Sequence, residues 1–109
     1  MIRIDQDIII LTPPERLNTA TSTETELDVV SEIEKGILRV VIDFSKTTYV
    51  SSAGLRVVLK VAKLLHKQKG ALVICGLNEQ ITEVFEVSGF MKLVNVRTTF
   101  AEAVDVVRN

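Results

Sequence analysis

The sequence predicts an α/β domain with a largely parallel sheet. Three observations carry this. Short β-branched apolar runs alternate with segments of helical periodicity. The connections between them are short, as in a chain that winds strand and helix in turn. The run Leu38–Phe44 (Leu-Arg-Val-Val-Ile-Asp-Phe) is nearly continuous in its apolar character, which suits a strand covered on both faces.

The elements follow in order. Ile8–Leu11 reads as a strand, ended by Pro13–Pro14. From Asn18 or Thr19 the chain becomes polar and acidic, and Leu27, Val30 and Ile33 recur every third residue. That spacing predicts a helix with one narrow buried stripe, stopped by Gly36. After the Leu38–Phe44 strand comes a hydroxyl-rich loop, Ser45–Ser52. The next segment is the clearest helix: Leu55, Val58, Leu59, Ala62 and Leu65 share one face, and Arg56, Lys60, Lys63 and Lys67 lie elsewhere. Gly70 is expected to end it. Ala71–Cys75 is another strand. Asn78 is placed to cap a helix carrying Ile81, Val84 and Phe85 and closing near Gly89. Leu93–Val96 reads as a last strand. Thr99 with Glu102 three residues on forms a capping box for a final helix through Ala103, Val104 and Val107.

Composition bounds the function. The 109 residues are the length of one domain, residues 1–109, able to bury roughly 60–70% of the unfolded chain's surface. With 47% hydrophobic and 25% charged residues the chain is globular, not disordered. Thirteen Lys and Arg against fourteen Asp and Glu leave a net charge of −1, which argues against a nucleic-acid partner. One cysteine, Cys75, and one histidine, His66, exclude an internal disulfide and most zinc sites. No apolar run approaches the ~20 residues of a membrane helix, and Met1–Asp7 has no apolar signal core. A cytoplasmic protein that meets neither membrane nor nucleic acid is expected.

Chemistry in an open α/β sheet gathers beyond the carboxyl ends of the strands. Here that place is the loop after Phe44, with Ser45, Thr47, Thr48, Tyr49, Ser51 and Ser52. Ser52 stands where the basic helix begins. It is either an ordinary cap or a first-turn residue at a helix end that tolerates an anion. A serine hydrolase fails on two counts. Val50 and Gly54 flank Ser52 where a nucleophile elbow needs two glycines, and His66 lies about 20 Å along the same helix. No phosphate-binding glycine loop occurs. Catalytic residues, a metal and a cofactor are therefore not expected. Arg56–Lys69 holds five Lys or Arg and no acid, whereas Glu15–Glu34 is strongly acidic. These are either solvated faces or a pair of charged surfaces that orient a partner. Phe90 and Met91 are expected to be packed rather than exposed.

At Val40-Val-Ile-Asp-Phe-Ser-Lys-Thr-Thr-Tyr-Val-Ser-Ser-Ala-Gly-Leu-Arg-Val-Val-Leu59 the sequence resembles the bacterial anti-sigma factor antagonists, which are single STAS domains. The likeness extends to Arg16-Leu17-Asn18 and to Val84-Phe-Glu-Val-Ser-Gly-Phe90. It implies a partner-switching protein without catalysis of its own. Such a protein binds an anti-sigma factor that is also a GHKL-type serine kinase, and so releases a sigma factor. The kinase phosphorylates the antagonist at the start of this helix, and a PP2C-type phosphatase reverses the step. By position the acceptor falls on Ser52. The expected contact residues are Asn18, Ser51, Ser52, Ala53, Gly54 and Arg56, on a monomeric module. Three positions depart from the family's usual pattern: Ser51 replaces a frequent Asp, Ala53 a frequent Ser or Thr, and Asn18 a frequent acid. They keep open an unswitched STAS module of another signalling or transporter-associated complex. A small-molecule enzyme is the third and weakest reading.

Overall fold

The computed structural model describes all residues from Met1 to Asn109. Five strands form the main sheet: β1 (Ile2–Asp5), β2 (Ile8–Leu11), β4 (Arg39–Asp43), β6 (Ala71–Cys75) and β7 (Asn95–Arg97). Their order is β1-β2-β4-β6-β7, with β1 antiparallel to β2 and every other pairing parallel. Two further strands, β3 (Arg16–Leu17) and β5 (Tyr49–Val50), pair with each other in parallel outside that sheet. The helices are α1 (Thr19–Glu34), α2 (Ser52–Lys67), α3 (Glu79–Val87) and α4 (Phe100–Arg108). A 3-10 turn, Phe90–Lys92, follows α3.

The sheet is the middle of three layers. Ile9, Leu11, Val40, Ile42 and Ile74 point to one side, where Val29 and Ile33 of α1, Val57, Val58, Val61 and Leu65 of α2, and Ile81 and Phe85 of α3 complete the larger core. Ile8, Ile10, Val41, Val73 and Cys75 point to the other, which α4 covers with Ala103 and Val107. Alternation along β2 and β4 thus feeds two cores, so their sequences read as unbroken apolar runs. Phe85 joins Phe44 and Phe90 edge to face, with centroids 5.9 and 6.0 Å apart.

Several expectations shift. The buried stripe of α1 is Ser22, Thr25, Val29 and Ile33, and Leu27 is exposed. On α2 the stripe is Gly54, Val57, Val58, Val61 and Leu65, with Leu55, Leu59 and Ala62 on its margin. Consecutive valines made both phases of that helix look apolar. Val84 faces solvent at the edge of α3. The last strand begins at Asn95, because the 3-10 turn Phe90–Lys92 takes Leu93 as its C-cap. Phe90 and Met91 pack partly against the core, as expected. Helix α2 is closed by Lys69 in the left-handed region (φ 61°), not by Gly70. Gly70 serves contact instead: a Cβ there would lie 2.5 Å from the Leu38 carbonyl oxygen. Strand β1 was not expected. Its signal is the alternation of Ile2 and Ile4 with Arg3 and Asp5, joined to β2 through Gln6 and Asp7, both at positive φ.

Candidate functional site

Two short stretches meet beside the sheet. Register pairs Arg16 with Tyr49 and Leu17 with Val50, and each strand runs straight into a helix. The first turns of α1 and α2 therefore start side by side. The loop that delivers β5 is tied down along its length. Thr47 Oγ1 donates to the Pro13 carbonyl at 3.3 Å, and the Thr48 amide and hydroxyl donate to the Glu15 carbonyl at 2.8 and 3.3 Å. The Ser51 amide donates to Leu17 O at 2.9 Å. From α3, Asn78 Nδ2 reaches Thr48 O at 3.4 Å. The Arg16 guanidinium lies 4.4 Å from the centre of the Tyr49 ring.

Each helix start is capped by its own residue. Asn18 Oδ1 accepts from the amides of Ala20 and Thr21 at 3.0 and 3.2 Å, and Thr21 Oγ1 accepts from the Asn18 amide. Ser51, in extended backbone, caps α2 through Oγ, which accepts from the Gly54 amide at 3.3 Å. Ser52 is the first residue of the helix proper and is exposed. Its hydroxyl has no hydrogen-bond partner in the protein. Of the five serine and threonine hydroxyls near this loop, Thr47, Thr48 and Ser51 are thus engaged, while Ser45 and Ser52 are free. Only Ser52 combines a free hydroxyl with a helix N-terminus, and no acid occupies the first turn of α2.

The expected contact residues converge in part. Asn18, Ser51 and Ser52 adjoin through the β3–β5 pairing, and Arg56 stands exposed one turn along α2 from Ser52. Ala53 is half-buried. Gly54 is buried beneath them. Its value is close approach, since a Cβ would lie 2.7 Å from Leu17 O. The glycine seats the start of α2 on β3. His66 sits in the last turn of the same helix, about 21 Å from Ser52 by helix rise, so it does not act on that hydroxyl. No three His, Cys, Asp or Glu side chains converge as metal ligands. No helix is long and apolar enough to cross a membrane.

A feature unread in the sequence adjoins the site. Between β5 and α3 runs a groove of about 560 Å3, lined by Tyr49, Val50, Ile81, Val84 and Val87 among others. Tyr49 is 42% and Val87 83% exposed. The spacing of Ile81, Val84 and Val87 marks one side of α3, but nothing local indicates that β5 stops short of covering it.

A family model described as the STAS domain matches residues 1–103. A Bordetella bronchiseptica protein named as a candidate anti-sigma factor antagonist, BtrV, is 46% identical over 77 residues, 71% of this chain and 66% of that one. The chain thus matches just under two thirds of that relative's length. The anti-sigma-B factor antagonist of Listeria monocytogenes is 29% identical over 84 residues, 77% of this chain and 72% of that one. Among solved structures, the crystal structure of a candidate anti-sigma factor antagonist from Thermotoga maritima superposes with a TM-score of 0.94 at 24% identity. That likeness covers 100% of this chain and 94% of the other.

Proposed function

The chain belongs to the STAS family, and from that premise we propose that it is an anti-sigma factor antagonist switched by phosphorylation of Ser52. It is a regulatory protein rather than an enzyme, in keeping with relatives named for antagonism of another protein. In this reading residues 1–109 act as one monomeric STAS domain in the cytoplasm. The unphosphorylated form binds a GHKL-type serine kinase that is also an anti-sigma factor, and the sigma factor is released. The contact surface is centred on Asn18, Ser51, Ser52, the half-buried Ala53 and Arg56, with Gly54 fixing their arrangement from beneath. Phosphorylated Ser52 abolishes the contact, and a PP2C-type phosphatase restores it.

One observation carries the proposal: Ser51 does the capping, which leaves the Ser52 hydroxyl exposed and unpartnered at the helix start. Phosphorylation of Ser52 adds ~1.5 to 2 negative charges beside free amides that accept them, so the fold needs no rearrangement. The cost falls on the interface, where an unpaired charge loses its water. A loss of ~2.7 kcal/mol weakens binding about a hundredfold. The direct experiment is phosphopeptide mapping after incubation with the cognate kinase and ATP. Phosphate on Ser52, and none in Ser52→Ala, is expected. Phosphate on Ser45 or Ser51, or undiminished incorporation in Ser52→Ala, contradicts the assignment.

A further inference from the structure

Helix α2 carries four cations on its exposed side, Arg56, Lys60, Lys63 and Lys67, spaced four, three and four residues apart. That spacing lays them in a single stripe about 16 Å long. The helix contains no acid to balance them. Lys60 alone is ion-paired, to Glu26 of α1 at 2.8 Å, so Arg56, Lys63 and Lys67 are without a carboxylate partner. The stripe is not bare charge. It borders a groove of about 580 Å3 whose lining includes Leu59 and Leu64, both partly buried, together with the four cations and Glu26.

We infer that this groove docks an acidic amphipathic helix of a partner protein, whose carboxylates meet Arg56, Lys63 and Lys67 and whose apolar residues rest on Leu59 and Leu64. The inference deepens the functional reading above and rests on it for the partner's identity, since the stripe begins one turn beyond Ser52. The two leucines, one on either side of the cation row, select the occupant. A phosphate backbone or a layer of lipid headgroups pairs with cations but leaves Leu59 and Leu64 unused, whereas an acidic helix with leucines satisfies both. A broad polyanion also meets repulsion at the flank. Helix α1 packs beside α2 and bears Glu24, Glu26, Asp28, Glu32 and Glu34, and the whole chain is charged −1. Opposite charges on neighbouring helices hold a narrow acidic segment in one lane and set its register.

The test uses the full chain, 15N-labelled, and a synthetic helical peptide of about 18 residues with leucines at i, i+3, i+4 and i+7 and glutamates beside them. Amide shifts along Arg56–Lys67 are expected to move on titration, and affinity to fall about tenfold as salt rises from roughly 50 to 300 mM. A Lys63→Glu/Lys67→Glu variant, altered only at exposed positions, should keep its spectrum and lose at least about tenfold in affinity. A peptide with glutamine for glutamate should not bind. Absent binding, shifts centred away from α2, or an unchanged affinity in the double variant overturns the inference. So does tighter binding of a DNA duplex or an anionic vesicle than of the peptide, or self-association of the chain through α1 at these concentrations. Lys63 and Lys67 lie roughly 16 to 23 Å along the helix from Ser52. Failure here therefore leaves the Ser52 switch standing, and failure of phosphorylation leaves peptide binding unchanged.

Discussion

Ser51 and Ser52 are chemically identical neighbours with separate tasks, and the backbone assigns them. Ser51 is extended and turns its hydroxyl to the Gly54 amide, so removing that hydroxyl leaves an amide of the first turn unsatisfied. Ser51→Ala should lower stability by about 1 kcal/mol in denaturant titration. Ser52→Ala, which removes an exposed and unpartnered group, should stay within about 0.5 kcal/mol of the parent. The reverse ranking would show that Ser52 is the cap. Cys75 supplies a second residue-scale prediction. Burial, then the nearby Asp43 charge and a hydrogen bond to it, push its thiol from the usual 9.0 up to about 12. The native state holds this proton where the unfolded chain releases it. Its contribution to stability is complete below pH 9 and is lost as pH climbs towards 12. The unfolding midpoint should therefore fall more steeply above pH 9 in the parent than in Cys75→Ala. Parallel slopes would contradict this.

At the scale of elements, the start of α2 depends on how closely it approaches β3. Gly54→Ala places a methyl 2.7 Å from Leu17 O and 2.9 Å from the Leu17 side chain, so helix and strand must part. A loss of ~1–3 kcal/mol is expected, with faster amide exchange at Ser51, whose amide bonds to Leu17 O. Unchanged exchange at Ser51 would show that the contact does not hold the site together. The same region shows what the sequence discloses. Strands β2, β4 and β6 and the caps Asn78 and Thr99 are legible because apolar runs and capping patterns are local signals. The phase of α2 is not, because Val57 and Val61 are as apolar as Leu55 and Leu59 and only packing against the sheet chooses between them. Strands β3 and β5 have two residues each, too few for any periodicity. Chain position marks Ser52 as a residue at the start of the basic helix, whereas its role as acceptor and that of Arg56 as a contact come from the family resemblance. Asn18 and Ser51 were expected on one patch, but the pairing that joins them, Leu17 with Val50, spans 33 residues of sequence and carries no local signal.

In the whole molecule the sheet separates two faces with different work. On one, α4 closes the smaller core, and Val107 and Ala103 reach Val41 and Val73. On the other, α1, α2 and α3 cover the larger core and bring their first turns towards the β3–β5 pair. The candidate switch therefore rests on elements fixed by the larger core, which suits a modification that changes surface charge and not shape. On this account a phosphate at Ser52 acts where it stands, at the interface. The most direct measurement is the affinity for the cognate kinase of the parent, Ser52→Ala and Ser52→Asp, each checked for native fold by its amide spectrum. Parent and Ser52→Ala should bind alike, and Ser52→Asp, folded as they are, should bind about a hundredfold more weakly, a loss of ~2.7 kcal/mol. Equal binding by all three, or a Ser52→Asp variant that loses binding only because it has unfolded, would contradict the account.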